Sequence, residues 1–370
     1  MNEPFTARLE AVRRRMTEVG VDVTLLSVGP DLPWLCGYEA MPLERLTMLV
    51  VPRDATPTLV VPALEAPRVV ERAGIAIRPW TELENPIELV VGLIGAAQVA
   101  AIGDKTWARF LVELQAAAPG VTFRRATDVT GPLRIVKSAH ERAMLHRAGA
   151  VVDDIAAELQ SGAIALIGRT EAEISADLGR RIIAGGHARV NFAIVASGPN
   201  AASPHHDAGD RVVASGDVVL CDFGGTMLDE WGVGYCSDIT RCVWVGPAPT
   251  EASDIYASLL DAQAAGVSAG VVGAPCEEVD RACRRLIERA GYGDFFIHRT
   301  GHGIGVEEHE DPYMVEGNSL PLVDGHAFSV EPGIYLPSRF GFRLEDCVVA
   351  TDAGPDPLNR ADHGLATVDA

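Results

Sequence analysis

No two of the seven cysteines, Cys36, Cys221, Cys236, Cys242, Cys276, Cys283 and Cys347, stand in C-x-x-C spacing, and their number is odd. Both facts argue against a disulfide framework and against a thiolate zinc site, so the cysteines read as reduced thiols of a cytoplasmic protein. Basic charge is scarce: Lys and Arg total 31 against 51 Asp and Glu, a net charge of −20. Such a surface repels nucleic-acid phosphates and anionic lipid, which argues against both as partners. There is no apolar run of membrane-spanning length and, at Met1-Asn2-Glu3-Pro4 and beyond, no secretory leader, so neither a membrane nor an export role is expected. Internal repeats and low-complexity tracts are missing too. The chemistry therefore has to come from point constellations.

What is present is a chain of 370 residues, 48% hydrophobic and 22% charged, the balance of a globular enzyme too long for one core. Leu9, Val12, Met16 and Val19 recur at helical spacing ahead of Gly20. Apolar runs at 23–27, 47–51, 58–61 and 99–103, with a helical stretch at 65–73, describe an α/β domain. The pattern breaks at 128–132, and Ser138-Ala139-His140-Glu141 has the form of a capping box opening a long helix. The expected domains are 1–130 and 131–370. In the second, helices at 139–159 and 171–184 and two more within 250–290 are segregated from strands that begin at 192, which is an α+β pattern. Cys276 and Cys283, on the last of these helices, read as core.

Carboxylates in apolar strand sequence need a reason. Asp222 closes the run Asp217-Val218-Val219-Leu220-Cys221-Asp222, and Asp238 lies in Tyr235-Cys236-Ser237-Asp238-Ile239-Thr240. Two antiparallel strands would bring the pair together, and two ionised carboxylates at close range require a shared proton or a cation. Glu331 in Ser329-Val330-Glu331-Pro332 and Glu345 in Arg343-Leu344-Glu345-Asp346 pose the same problem. His302, in Thr300-Gly301-His302-Gly303-Ile304-Gly305, can join them because its glycines permit close backbone approach. That glycine cluster lacks the strand-turn-helix setting of a nucleotide loop. One histidine and four carboxylates form an oxygen-rich set that suits two divalent ions, Mn²⁺ first, with Co²⁺, Zn²⁺ and Fe²⁺ as the other candidates.

In these residues the chain resembles the pita-bread-fold metallopeptidases, the family of prolidase, aminopeptidase P and methionine aminopeptidase. The resemblance runs over nearly the whole chain, a creatinase-like α/β domain followed by a catalytic domain with five ordered ligand motifs. It implies that Asp238 and Glu345 bridge two metals, that Asp222 chelates one, and that His302 and Glu331 complete the other. It implies a homodimer, in which the Trp34 segment would approach the partner's site or simply pack locally. It gives His205 and His309 to the substrate side, Glu331 to proton transfer, and Arg343 to orienting substrate or ligands. His206 and His298 stay outside that set, and Arg343 has a plainer reading as the ion-pair partner of Asp346 or another acid. One departure is the interval 238 − 222 = 16, longer than the family's usual gap by roughly a helical turn's worth of residues. It puts an extension within 225–234, where Met227, Leu228 and Trp231 are candidates for shaping the pocket or a subunit contact.

A dinuclear site lowers the pKa of a shared water to give a metal-bridging hydroxide, and it polarises a carbonyl. The expectation is hydrolysis of the bond before proline in dipeptides, with Xaa-Pro aminopeptidase action on longer peptides as the alternative. A creatinase-like hydrolase or a binding module on the same fold would lack ligands that this chain has.

Overall fold

The computed structural model describes residues 4–369 and divides into two compact units. One runs through Arg134 and takes in Asp229–Gly234; the other holds Ile135–Leu228 and the chain from Tyr235 onward. The outermost residues of the expected domains, 1 and 370, lie outside the described residues.

The first unit follows the order α1 (Phe5–Val19), β1 (Val23–Leu26), α2 (Asp31–Cys36), β2 (Met48–Pro52), β3 (Thr58–Pro62) and β4 (Ala76–Trp80). It continues with α3 (Pro86–Ile94), β5 (Val99–Ile102), α4 (Ala108–Ala117), β6 (Thr122–Arg125) and α5 (Thr127–Arg134). The strands form one mixed sheet, β4-β3-β2-β1-β5-β6, in which β1 is antiparallel to β2 and parallel to β5. Leu9, Val12 and Met16 bury the inner face of α1, and Gly20 ends it at φ 69°, a left-handed conformation that glycine adopts without strain. Two expectations fail here. Within 65–73 only Ala66–Arg68 is helical, a single 3-10 turn with Pro67 as its second residue that ends at an extended Val69. The supposed break at 128–132 is instead helix α5, with Pro132 inside it. Pro132 cannot donate to the carbonyl of Asp128, which accepts from Arg15 Nε at 3.3 Å instead. Trp34, 4% exposed, packs beneath Arg8, whose guanidinium carbon lies 4.9 Å from its ring, so its role within the chain is local packing.

The second unit opens with α6 (Ala139–Gln160) and α7 (Glu171–Ala184), then β7 (Arg189–Ser197), β8 (Val218–Leu228), β9 (Gly234–Cys236) and β10 (Ile239–Val245). Helices α8 (Thr250–Ala269) and α9 (Cys276–Arg289) follow, then β11 (Gly301–Gly303), β12 (Glu310–Met314) and β13 (Ala327–Val330). The last strands are β14 (Gly333–Leu336), β15 (Phe340–Arg343), β16 (Asp346–Val349), β17 (Asp356–Pro357) and β18 (Ala366–Val368). They make the sheets β18-β10-β8-β7, with β9 also on β8, β12-β11-β13-β16-β17, and the hairpin β14-β15. Strand β8 is buried on both faces. Val219, Cys221 and Phe223 join the core under α6 and α7, while Val218 and Leu220 join that under α8 and α9. By alternation Asp222 shares the second face. Cys276 and Cys283 are core residues of α9, and all seven cysteines are buried free thiols. Among the described residues no helix is long and apolar enough to cross a membrane.

The capping box at the start of α6 is complete: Ser138 Oγ accepts from Glu141 N at 3.3 Å and Glu141 Oε2 accepts from Ser138 N at 2.9 Å. Ser138→Ala should therefore cost about 1 kcal/mol of stability, read as a lower urea midpoint at unchanged m. An unchanged midpoint would show that the cap contributes nothing.

Candidate metal centre

The β8–β10 pairing sets Thr240 opposite Asp222, and Thr240 in turn bridges to Glu345. The amide of Glu345 donates to Thr240 O at 3.3 Å and the Thr240 hydroxyl donates to Glu345 Oε2 at 2.7 Å. Asp238 and Glu345 were expected inside strands; both lie in short links, before β10 and between β15 and β16, and Glu331 follows directly on β13. Links suit ligands because the side chain is freed from strict alternation across the sheet. His302 stays within β11, where a Cβ on Gly301 would strike the backbone of Ser329 and one on Gly303 that of Asp311. The glycines are there for close approach.

Asp238, His302 and Glu345 offer ligand atoms that all lie within 4.8 Å of one another, and all three are buried. His302 Nε2 stands 3.7 Å from Asp238 Oδ2 and 3.3 Å from Glu331 Oε1. Its Nδ1 donates to the Gly303 carbonyl at 3.1 Å, which leaves the Nε2 lone pair for the cluster. Burial pushes His302 down to about 3, the neutral form that a ligand needs. Burial, then the charges of its carboxylate neighbours, holds Asp238 far above the usual carboxylate range; Glu345 behaves alike. Burial lifts Glu331 to about 7, with Arg343 opposing.

Arg343 is the only arginine bonded to these acids among the described residues. Its Nη2 donates to Asp222 Oδ2 at 2.5 Å, Nε to Thr240 Oγ1 at 3.1 Å, and Nη1 to Tyr335 OH at 2.9 Å and Pro204 O at 3.1 Å. The alternative partner, Asp346, pairs instead with Arg241. Arg343 is thus placed to orient other groups. Asp222 Oδ1 and Glu345 Oε1 have no hydrogen-bond partner among the described residues although both are buried. Bare acceptors in a pocket of four carboxylates and one neutral imidazole fit divalent cations.

These five residues, with His205, His309 and Arg343, line one cavity of about 620 Å³. The His309 ring lies 3.8 Å from that of His302, centroid to centroid. Phe192, Ile194, Pro204, Arg299 and Val315, which escaped the sequence reading, also line the cavity, as does His298, which that reading left outside the catalytic set. Phe192 and Ile194 had a signal in their period-two spacing, and His298 and Arg299 in adjoining the His302 motif. His298 bonds Tyr335 OH at 2.9 Å, extending the row from Arg343. None of the residues 225–234 lines the cavity. Asp229 Oδ1 closes the hairpin tip by accepting from Trp231 N and Val233 N, each at 2.9 Å, and Arg72 Nη2 donates to Trp231 O at 2.8 Å within the first unit.

His205 stands on a segment anchored by Glu171. That fully buried carboxylate accepts from Ser197 N and Oγ, both at 2.7 Å, from Asn200 and, at 2.7 Å, from His206 Nε2. His206 is thereby an anchor and no part of the cavity. Burial raises the Glu171 pKa, but the bonds from Ser197, His206 and Asn200 outweigh it and leave it lowered. A lowered folded pKa contributes stability that is complete above the unfolded value of about 4.3 and is lost as pH falls below it. Glu171→Gln should be less stable than wild type at pH 7, with the gap in melting temperature closing as pH falls below about 4.3. A gap independent of pH would refute this.

Comparison with known proteins decides the family. The model of metallopeptidase family M24 matches residues 134–352, more than half of the chain. The chain belongs to metallopeptidase family M24. The creatinase/prolidase N-terminal domain matches residues 8–136 of this M24 peptidase, so the expected fold, a creatinase-type α/β domain before a pita-bread catalytic domain, holds. It is 40% identical to the probable dipeptidase PepE of Mycobacterium tuberculosis, covering 99% of this chain and 97% of that one. The Xaa-Pro dipeptidase of Lactobacillus helveticus is 34% identical over 97% of this chain and 98% of its own. The crystal structure of the Thermococcus sibiricus prolidase superposes with a TM-score of 0.93 at 32% identity, with both chains covered in full. Membership in M24 makes the protein a hydrolase that requires a divalent metal.

Proposed function

We propose that this M24 peptidase hydrolyses Xaa-Pro dipeptides with two divalent cations, held by Asp222, Asp238, His302, Glu331 and Glu345. The observation that carries the reading is the convergence of these five side chains, two of them with bare buried oxygens, in one cavity with His205, His309 and Arg343. Full-length similarity to an Xaa-Pro dipeptidase and a prolidase supports the substrate class. Mn²⁺ as the first metal to try, a homodimer and a cytoplasmic location complete the proposal; they rest on the oxygen-rich ligands and the family resemblance.

Asp238 and Glu345 would bridge the cations, with Asp222 on one and His302 and Glu331 on the other. When bound, such ions supply Lewis acidity, making water nucleophilic near neutral pH and polarising the scissile carbonyl. The remaining work falls to the chain. Glu331 takes the proton of the attacking water and passes it to the prolyl nitrogen, which must be protonated to leave. His205 and His309 donate to the oxyanion, and Arg343 fixes Asp222 and Tyr335 in place. Phe192, Ile194 and Val315 give the cavity an apolar wall for a pyrrolidine ring.

Protein stripped with chelator and reloaded with Mn²⁺, Co²⁺ or Zn²⁺ tests this on Ala-Pro, Gly-Pro, Ala-Ala and Ala-Pro-Ala. Metal-dependent cleavage of the two Xaa-Pro dipeptides alone is expected. Cleavage of Ala-Pro-Ala would move the assignment to an Xaa-Pro aminopeptidase, and equal cleavage of Ala-Ala to a general dipeptidase. Bound metal without cleavage of any of them would reject the substrate class.

A further inference from the structure

We infer that Arg299 binds the C-terminal carboxylate of the substrate and so restricts the enzyme to dipeptides, an inference that rests on the Xaa-Pro reading above. The cavity is otherwise acidic, and its two arginines differ in what they face. Arg343 is committed to Asp222, Thr240, Tyr335 and Pro204. Arg299 lines the same cavity and, among the described residues, pairs with no carboxylate.

Its position is nonetheless built. The guanidinium carbon lies 4.3 Å from the centroid of the Tyr313 ring, and Nη2 is 3.4 Å from His309 Nδ1. Stacking on Tyr313 holds the planar fork in one orientation, which lowers the entropy lost when a ligand binds. This guanidinium is oriented and partly desolvated, and Glu331 acts on it only from beyond ion-pair distance; such a group is a receptor for a carboxylate, which it grips through two parallel N–H bonds.

Reach agrees with this assignment. His309 stacks on His302 at 3.8 Å between centroids, so Arg299 sits one imidazole away from a candidate metal ligand. In Xaa-Pro the carboxylate carbon follows the scissile carbonyl carbon by three bonds, within about 4 Å. A dipeptide therefore places its negative charge one residue beyond the reacting bond, on the side that His309 and Arg299 occupy. A longer peptide presents a neutral amide at that point. It would leave the guanidinium without a charge partner and would have to carry its chain past Tyr313.

The test compares kcat/KM for Ala-Pro and for Ala-Pro amide in the metal-loaded wild type, Arg299→Met and Arg299→Lys. Wild type should favour the free carboxylate, and Arg299→Met should collapse that ratio by about 30-fold, chiefly through KM for Ala-Pro. Arg299→Lys should restore part of the ratio, because an ammonium keeps the charge but lacks the fork. A ratio unchanged in Arg299→Met, even with both rates reduced, would overturn the assignment and leave Arg299 as a support for His309. The amide rate shows in the same experiment that the variant has folded. If wild type cleaves neither compound with metal bound, the Xaa-Pro reading falls and takes this assignment with it, an outcome distinct from active wild type with an indifferent ratio.

Discussion

Asp238→Asn should abolish hydrolysis and, in the same stroke, make the metal-free protein more stable. The two effects share one origin. Asp238, Glu345, Asp222 and Glu331 crowd a buried cavity in which, among the described residues, Arg343 is the one bonded cation. With metal present the charge of Asp238 is useful; without it, burial and the repulsion of three neighbours disfavour that charge, and at neutral pH the folded chain must take up a proton that the unfolded chain does not hold. Replacing it with an amide of the same shape removes the repulsion, so the chelator-stripped variant should melt several degrees above stripped wild type. With metal added the order should invert, because wild type gains binding energy that the variant lacks. Loss of about 4 kcal/mol from the transition state corresponds to roughly a thousandfold drop in kcat/KM. Calorimetry of the stripped and loaded forms, with metal stoichiometry by elemental analysis, checks both halves. A variant that binds the wild-type complement of metal and keeps activity within about tenfold would remove Asp238 from the centre.

The second large effect is expected at Arg241, which touches no substrate. Its side chain is fully buried and donates to the carbonyls of Thr240, Glu345, Ala361 and Asp362, and to Asp346 Oδ1 at 2.8 Å. It thus clamps the backbone on both sides of the Thr240–Glu345 bridge. Arg241→Met leaves Asp346 with Gln263 and His363 but without its buried cation, and leaves four carbonyls without that donor. Breaking a buried pair in this way costs about 3–5 kcal/mol. Urea unfolding should show it, and metal affinity should fall as Glu345 loses its support. The double variant Arg241→Met, Asp346→Leu separates causes. If the stranded charge dominates, the double recovers much of the loss; if it is no more stable than the single, the lost carbonyl bonds are responsible.

Much of this was legible in the sequence because it is local. The capping box at Ser138 and Glu141, the helical spacing of α1 and the apolar run of β8 are each written within a few residues. The same holds for the acids themselves, since a carboxylate in an apolar strand announces a missing partner. What resisted reading depends on distant parts of the chain. Helix α5 survives Gly131-Pro132 because Arg15, far back in the sequence, takes up the carbonyl that Pro132 cannot serve. Arg343 could be matched to Asp346 on proximity in sequence, whereas sheet register gives it Asp222. Arg299 adjoins the His302 motif, but nothing in the motif tells its significance, which is the lack of an ion-paired acid among the described residues, a property of three-dimensional surroundings.

The hairpin tip carries a consequence for modularity. Because Asp229–Gly234 belongs with the first unit, that unit is written in two separate passages of the gene, the second lying inside the catalytic half. A fragment ending at Arg134 would lack the Trp231 carbonyl that Arg72 holds. The two halves are therefore not interchangeable cassettes. An exchange of N-terminal domains between relatives has to carry the tip along with it, and the interval between Asp222 and Asp238 is constrained by the domain that the tip completes as well as by the metal ligands at its two ends.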